Sequence, residues 1–186
     1  MIPNAASKPT ISVEAYLRGE LETDVKHEYL AGEVVAMGGA SRSHGLIATA
    51  LALAIGPQAR DKGCQLFIAD MKVRIEHDDE SYFYYPDLLV TCDRDDRERL
   101  YCTRPCLIIE ILSPGTERID RREKLLAYRL LPSLSEYILV DSERPLVETY
   151  RKTAEGWRHE VVTEGALRVA CLDASVTLEA LYADVR

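Results

Sequence analysis

Long hydrophobic runs are missing from this sequence. The longest one, from Ile47 to Ile55, is far too short to cross a bilayer as a helix. The first residues also lack the basic start and the apolar stretch that mark a secretory signal. We therefore expect a protein that has no membrane partner and resides in the cytoplasm.

Cysteines are few and show no paired motif. The chain has five of them, and none lies in a C-x-x-C arrangement. Their positions are Cys64, Cys92, Cys102, Cys106 and Cys171. An odd number without paired spacing argues against both a disulfide framework and a structural zinc site. We expect reduced and mostly buried thiols.

An excess of basic residues is also missing. Lysine and arginine number 23 against 31 aspartates and glutamates, which gives a net charge of −8. Because clustered positive charge supplies much of the affinity for a phosphate backbone, this balance works against tight nucleic-acid binding. The distribution is uneven, with acid concentrated at Glu76–Glu80 and base between Arg118 and Arg129. Any DNA binding should therefore be weak or sensitive to salt.

Enough apolar sequence is present for one folded domain. With 186 residues and 47% hydrophobic content, the chain is long enough to bury a sizeable core. Residues 1–10 contain two prolines and small polar side chains, which predicts a flexible N-terminal tail. The single domain is predicted to span residues 11–186.

The first third of the chain mixes helical and hairpin patterns. Ser12 predicts the cap of a short helix, and Ala31-Gly32 predicts the turn of a hairpin. A long helix is expected from Ser43, with a kink or an interruption at Gly56-Pro57.

Extended patterns dominate the middle of the chain. Period-two alternation predicts one strand from residue 64 to 75. The next strand is expected over 82–92, where Pro86 points to an edge, a bulge or the start of strand pairing. A helix is expected over 116–131, with apolar residues pointing to the core. These are Ile119, Leu126 and Leu130. The remaining predicted elements are a strand over 136–141, a hairpin over 146–162 and a short helix within 176–182.

Two carboxylates stand where chemistry is expected. Asp87 follows Pro86 directly, and Glu110 lies inside the apolar strand from Cys106 to Leu112. Alternation places Ile109 and Ile111 on one face of that strand and Glu110 on the other, and both faces are otherwise apolar. An ionised carboxylate in such a strand must be neutralised, paired or bound to a metal. Carboxylates from neighbouring strands would form a hard-oxygen site for Mg²⁺ or Mn²⁺.

The helix after this strand carries a set of polar residues along one side. Asp120, Lys124 and Tyr128 follow one another at intervals of four, so they share a face. If the helix packs over the sheet, the Lys124 ammonium can reach the two carboxylates. Phosphodiester hydrolysis needs such groups: a metal that generates hydroxide, carboxylates that hold it, and a cation that stabilises the charge on phosphorus.

The order of these residues resembles the PD-(D/E)XK nuclease superfamily, and in particular its Uma-type branch of "putative restriction endonucleases". The similarity spans roughly residues 12–150. The matching segments are His27–Glu33, His44, Pro86–Asp87, Glu110–Pro114, Asp120, Lys124, Tyr128 and Glu136–Asp141. Each motif alone is weak, but the order and spacing together are fairly specific.

The resemblance implies an α/β (α+β) restriction-endonuclease-like core, with a mixed β-sheet flanked by helices. It implies that Asp87 and Glu110 bind the metal together with the main-chain carbonyl of Ile111. The superfamily pattern expects a lysine two residues after the acidic residue, where this chain has Leu112. In this branch Lys124 would take over that role, since a lysine side chain is long and flexible.

These expectations lead to one hypothesis and its alternatives. The leading hypothesis is a Mg²⁺-dependent endonuclease that cuts DNA with metal-activated water. Four residues are candidates for supporting roles: Glu28, His44, Asp120 and Tyr128. For His44 near a helix start, a packing or capping role is the more common one. Lys72 is the alternative lysine should Lys124 lie too far away.

Two non-catalytic roles also fit these residues. Glu110 could form a purely structural buried ion pair with Lys124 or an arginine. The chain could also be a non-catalytic nucleic-acid-binding or oligomerisation module on a nuclease fold. A homodimer is plausible for an enzyme that cuts duplex DNA, and Leu139 or Tyr150 on exposed strands could serve its interface.

Overall fold

Residues 10–115 and 117–185 are described in a computed structural model of the chain. Their strands form a five-stranded sheet, a six-stranded sheet and a two-stranded hairpin. Most of the predicted tail and position 116, the predicted start of a helix, lie outside the described residues. None of the described helices is long and apolar enough to cross a membrane.

The elements have the following bounds. The strands are β1 (His27–Leu30), β2 (Glu33–Ala36), β3 (Gln65–Ile68), β4 (Lys72–His77), β5 (Glu80–Tyr84), β6 (Leu88–Thr91), β7 (Tyr101–Cys102), β8 (Leu107–Leu112), β9 (Glu136–Asp141), β10 (Val147–Thr153), β11 (Gly156–Val162), β12 (Ala166–Val169) and β13 (Ala174–Thr177). The helices are α1 (Val13–Gly19), α2 (Arg42–Asp61), α3 (Glu117–Ile119), a π-helix (Asp120–Lys124), α4 (Leu125–Tyr128), a 3₁₀ helix (Ala170–Leu172) and α5 (Leu178–Leu181).

The five-stranded sheet holds the predicted hairpin. Its strand order is β2-β1-β5-β4-β7, and β1 pairs with β2 in antiparallel register. Ala31 and Gly32 form the turn with φ values of 49° and 97°, a left-handed conformation that glycine adopts without strain. Helix α1 is capped by Ser12 as predicted, and its Tyr16 packs on Tyr29 and Phe83 of this sheet.

The six-stranded sheet carries the main core. Its order is β11-β10-β9-β8-β6-β3, with β8 and β9 parallel and the other neighbouring pairs antiparallel. All residues of β8 are buried, which confirms the predicted central strand. Ile109 and Ile111 pack with residues of α2, whereas Ile108 and Leu112 pack with residues of α4 on the other face.

The chain passes from one sheet to the other at two points where single strands were predicted. Ala69, with φ of 56°, separates β3 from β4, and Tyr85–Asp87 separates β5 from β6. Both predicted long strands are therefore wrong, because each is two strands in different sheets. Pro86 has no N–H for a ladder and stands at the second crossing, so that Asp87 lies at the entry of β6.

Two helix predictions need correction. Helix α2 continues from Arg42 to Asp61 without interruption at Pro57, which lies on the exposed side where water can satisfy the freed carbonyl. The predicted helix over 116–131 contains a π-helix, and its predicted core residues are exposed. The exposed fractions are 39% for Ile119, 65% for Leu126 and 42% for Leu130.

The π-helix explains which face of this segment is buried. Its i→i+5 bonding sets more residues per turn than an α-helix, so the side chains that follow it are rotated around the axis. Leu125, Tyr128 and Leu131 face the core, and Asp120 and Lys124 are buried beside them. The polar side of this segment therefore points into the protein, where Glu110 lies.

The prediction of reduced thiols was wrong for two of the five cysteines. Cys64 and Cys92 form a disulfide, while the thiols of Cys102, Cys106 and Cys171 are free. Antiparallel pairing of β3 with β6 aligns Gln65 with Thr91, so the next residues outward, Cys64 and Cys92, stand opposite each other. Sequence spacing could not show this, since the pairing depends on a sheet register.

The C-terminal part follows its prediction more closely. The hairpin of β10 and β11 turns at Gly156, which has φ of 122°. The predicted helix within 176–182 is only α5, because Val176 and Thr177 belong to β13. Leu139, predicted to be available for a dimer, is fully buried because it packs in the core cluster that contains Leu125 and Tyr128, and Tyr150 is only partly exposed.

Candidate active site between the two sheets

A cavity of about 220 Å³ brings most of the predicted site residues together. Six of the predicted site residues line it, and each comes from an element whose position the fold has fixed. These are Glu28 of β1, His44 of α2, Asp87 before β6, Glu110 of β8, and Asp120 and Lys124 of the π-helix. A wider cavity of about 600 Å³ adjoins it and shares His44, Tyr85 and Asp87.

Asp87 is held in place through one of its oxygens. Its Oδ2 accepts the backbone N–H of Ile111 at 2.7 Å and lies 3.0 Å from His44 Nε2. The contact to Ile111 ties the entry of β6 to β8, one residue beyond Glu110. Neither contact uses Oδ1.

Glu110 is almost completely buried, with 3% of the residue exposed. Its Oε1 accepts the Tyr128 hydroxyl at 2.8 Å and the Lys124 ammonium at 3.2 Å. Burial raises the pKa of Glu110 well above its usual value; Lys124 opposes this shift, and the negative charges of Asp120 and Asp87 add to it. The site thus favours a bound positive charge or a proton on Glu110.

Lys124 lies among three carboxylates. Its Nζ is 3.0 Å from Glu28 Oε1, 3.2 Å from Glu110 Oε1 and 3.3 Å from Asp120 Oδ1. Burial lowers the pKa of Lys124, but the three negative charges outweigh it and hold the pKa well above its usual value. Lys124 is therefore a permanent cation at the centre of the site.

Two buried oxygens in the site depend on Lys124. Glu28 Oε1 and Asp120 Oδ1 lie 3.0 Å and 3.3 Å from its ammonium, and no other described residue donates a hydrogen bond to them. Buried polar atoms are normally satisfied, so both oxygens could accept a further partner such as water or an ion. The carboxylates of Glu28, Asp87, Glu110 and Asp120 also outnumber the positive groups around them.

The donor set fits a hard divalent cation. Within the described ranges, no three His, Cys, Asp or Glu side chains are arranged as a ready-made metal cage. Mg²⁺ does not require one, since it is usually bound by one or two carboxylates and completes its shell with water and substrate phosphate. Carboxylate oxygens of Asp87 and Glu110 and a backbone carbonyl are the ligand types it prefers.

His44 contacts Asp87 directly in addition to its predicted local role. Its backbone N–H donates to Ser41 Oγ at the start of α2, as expected near a helix cap. Its side chain adds the contact to Asp87 Oδ2. The hydrogen bond to Asp87 raises the pKa of His44, against the opposing effect of burial. The ring therefore orients the carboxylate.

Tyr128 and Asp120 lie at the back of the site. Tyr128 is fully buried and donates to Glu110, and its ring packs edge-on against Tyr84 and Tyr137. The Tyr137 hydroxyl donates to the backbone carbonyl of Asp120 at 3.1 Å, which fixes the first residue of the π-helix. π-helical turns often occur at functional sites, where they aim a side chain that an α-helix would misplace.

The other lysine candidate is separate from this cluster. Lys72 does not line the cavity; its ammonium lies 4.8 Å from the centre of the Tyr85 ring. Sequence reasoning missed Tyr85 itself, which lines the cavity and donates to Glu20 Oε2 at 2.6 Å. Its place before Pro86-Asp87 was a usable signal, whereas nothing in the sequence connects Glu20 with this site.

The Glu136–Asp141 motif does not join the site. Glu136 pairs with Arg151 at 2.7 Å at the far end of β9. Asp141 accepts backbone N–H groups of Glu143 and Arg144 in the turn after β9. Both residues act in packing and turn geometry.

Comparison with known proteins identifies the family of this chain. The Uma2 family, described as "Putative restriction endonuclease", matches residues 13–180. Two proteins of Synechocystis sp. (strain ATCC 27184 / PCC 6803 / Kazusa) are similar: uncharacterized protein slr1290 is 36% identical over 153 residues, covering 82% of this chain and 80% of its own. Uncharacterized protein sll1609 is 32% identical over 162 residues, covering 86% and 89%.

A solved structure shares the fold. The crystal structure of a "putative nuclease belonging to DUF820" from Anabaena variabilis ATCC 29413 superposes with a TM-score of 0.71. It is 18% identical, and the match covers 90% of this chain and 97% of that chain. This likeness confirms the predicted fold class, and together with the family it supports a nuclease. The chain belongs to the Uma2 family of putative restriction endonucleases.

Proposed function

We propose that this protein is a Mg²⁺-dependent endonuclease that hydrolyses DNA phosphodiester bonds. The observation that carries the proposal is the convergence of Asp87, Glu110 and Lys124 on one small cavity. Separate elements supply them, yet direct contacts join them: Asp87 to the backbone of Ile111, and Lys124 to Glu110. Two carboxylates, a buried cation and excess negative charge suit metal-assisted phosphoryl chemistry.

The metal would be held by Asp87, Glu110 and the main-chain carbonyl of Ile111; Mn²⁺ could replace Mg²⁺. The bound ion would lower the pKa of a water molecule and so supply hydroxide near neutral pH. The protein's part is to keep these oxygens in place. His44 and the Ile111 N–H orient Asp87 through Oδ2, and Tyr128 orients Glu110 through Oε1.

Lys124 would stabilise the negative charge that develops on the phosphate. It takes the role that the superfamily gives to a lysine at the position of Leu112. Leu112 is 3% exposed and packs in the core, so a lysine there would be buried on the face of Glu110. The π-helix brings an ammonium to that carboxylate from outside the strand instead.

DNA binding must overcome the acidic character of the chain. Arg118 precedes the π-helix and Arg122 lies within it; both are exposed and would be available for phosphate contacts. Arg121 is already paired with Glu117 and Glu148. Few cations are therefore free near the site, so we expect weak binding that falls steeply with salt.

A non-catalytic module on a nuclease fold is the second candidate. The observation that favours it is the saturation of Lys124, which already contacts three carboxylates without any substrate. A network of this kind also serves as a structural ion pair. The protein would then bind DNA without cleaving it, or form a homodimer.

A plasmid cleavage assay distinguishes the endonuclease from the non-catalytic module. We expect the wild type to nick or linearise plasmid DNA with Mg²⁺ or Mn²⁺, and Asp87→Ala and Glu110→Ala to lose this activity. Glu98→Ala is the matched control, because Glu98 is an exposed acid away from the cavity. Thermal melts of all four proteins show whether the variants fold. Equal cleavage by Asp87→Ala and the wild type would rule out the nuclease assignment for this site.

A further inference from the structure

Four of the five cysteines lie together at the end of the six-stranded sheet opposite the carboxylates. Asp87 precedes β6, and Cys92 follows it. Cys92 is disulfide-bonded to Cys64 across the β3–β6 pair. The other two members are Cys106, directly before β8, and Cys171 in the 3₁₀ helix.

The sulfur atoms of these residues form a continuous row. Cys106 Sγ lies 3.5 Å from Cys92 Sγ, and the Cys106 N–H donates to the Val90 carbonyl, which fixes its place beside β6. The Cys171 side chain is close enough to the Cys106 thiol to influence its pKa. Cys171 is itself held by its backbone N–H, which donates to Glu136 Oε2 at 2.9 Å.

The two free thiols of the row have different characters. The hydrogen bond from Cys171 lowers the pKa of Cys106, against the opposing effect of burial. The same hydrogen bond, burial and nearby charge raise the pKa of Cys171. Since the thiolate is the nucleophile in sulfur chemistry, and since Cys106 is the free thiol that lies 3.5 Å from the disulfide-bonded sulfur of Cys92, Cys106 is the attacking group.

We propose that Cys64, Cys92, Cys106 and Cys171 form a thiol–disulfide exchange site in which Cys106 takes over the bond to Cys92. The Cys106 thiolate attacks Cys92 Sγ, a Cys106–Cys92 bond forms, and the Cys64–Cys92 bond breaks. The electron pair leaves with Cys64 as a thiolate, so one disulfide and one thiolate are present before and after. No external oxidant is needed, and 3.5 Å is a separation from which reacting atoms proceed to bond formation.

The exchange would change which strands are covalently linked. The present bond joins the start of β3 to the end of β6, whereas the new bond would join β6 to β8. Cys92 is exposed, so a low-molecular-weight thiol or disulfide can reach the row from solvent. The site is thus suited to small thiol and disulfide reagents, independently of the proposed nuclease activity.

Differential alkylation of the full chain tests the exchange. Protein purified without reductant is incubated at neutral pH, denatured at mildly acidic pH with N-ethylmaleimide, digested and sequenced by tandem mass spectrometry. We expect label on Cys64 in a measurable fraction of molecules and protection of Cys106 in the same fraction. The exchange does not change the number of free thiols per chain. That number should remain three, as in the structure, where the free cysteines are Cys102, Cys106 and Cys171.

Variants decide the outcome. Cys106→Ser should abolish labelling of Cys64. Cys102→Ser should leave this labelling unchanged, because the Cys102 thiol donates a hydrogen bond to Asp96 and is not part of the row. The proposal is overturned if Cys64 is never labelled in the wild type, or if it is labelled equally in Cys106→Ser.

A second variant keeps the test valid if Cys106→Ser does not fold. Cys64→Ser treated with oxidised glutathione should form a Cys92–Cys106 disulfide and release two molecules of reduced glutathione per bond. A lasting mixed disulfide between Cys92 and glutathione, with Cys106 still free, would overturn the proposal.

Discussion

Two buried glutamates on neighbouring parallel strands differ in how their charge is satisfied. Glu110 of β8 and Glu136 of β9 are 3% and 2% exposed, so both have lost almost all water. Glu136 Oε1 accepts Arg151 Nε at 2.7 Å, and its Oε2 accepts the Cys171 N–H at 2.9 Å. Both oxygens of Glu136 are satisfied by groups that belong to the fold.

At Glu110 the hydrogen bonds collect on one oxygen. Tyr128 and Lys124 both bond to Oε1, and the same Lys124 is the only polar partner that the described residues offer to the nearby Glu28 Oε1 and Asp120 Oδ1. Burial and neighbouring carboxylates raise the pKa of Glu110. The comparison indicates that Glu136 belongs to a structural ion pair, and it supports our proposal that the surroundings of Glu110 receive a further cation.

The first prediction tests the structural role of Glu136. Glu136→Gln leaves Arg151 with the exposed Glu160 as its remaining charged partner, beside the Arg168 carbonyl, so we expect the free energy of unfolding to fall by about 3 kcal/mol. Urea unfolding measures this. Cleavage by the folded variant should equal that of the wild type. A loss of cleavage in protein that remains folded would contradict the structural role of Glu136.

Lys124 gives the next largest effect. Lys124→Met removes the cation from the site, and we expect cleavage to fall roughly 100-fold to 1,000-fold, the usual effect of removing one charge-stabilising group. Stability should also fall in a chelator and recover with Mg²⁺, because the ion neutralises the three carboxylates. Lys72→Met is the matched control, and it should cleave like the wild type. Equal activity of both variants would show that Lys124 is structural only.

The pH dependence of stability should provide a further test of the difference between Glu110 and Glu136. Burial raises the pKa of Glu110 in the folded state above its ordinary value of 4.5. The folded state therefore binds more protons than the unfolded chain between those two values, and stability must fall as pH rises through that interval. Glu110→Gln should flatten this decline when urea unfolding is measured with a chelator, whereas Glu98→Gln should not. If the free energy of unfolding fell with pH as steeply in Glu110→Gln as in the wild type, the decline could not be attributed to Glu110.

Tyr128→Phe should have the smallest effect. It removes the hydroxyl that donates to Glu110 Oε1, and we expect a loss of about 1–2 kcal/mol in the free energy of unfolding. Tyr82→Phe is its control, since the Tyr82 hydroxyl bonds to the exposed Glu80 and should matter little. Equal melting temperatures for both variants would show that the bond to Glu110 contributes no stability.

The sequence predicted the parts of the site whose signal is local. The apolar strand around Glu110 and the four-residue spacing of Asp120, Lys124 and Tyr128 are visible in any short window. The apolar segment of residues 82–92, in contrast, passes from one sheet to the other, and a local sequence pattern cannot show that change. The Cys64–Cys92 bond and the contact of Glu20 with Tyr85 depend on tertiary pairing, so they were missed for the same reason.

Calorimetric titration with Mg²⁺ tests the central claim most directly, since it measures whether Glu110 and Asp87 receive a cation. The account predicts that the wild type and Glu136→Gln bind the ion, and that Asp87→Asn and Glu110→Gln lose this binding while remaining folded. Binding of equal strength in all four proteins, or no binding by the wild type, would contradict it.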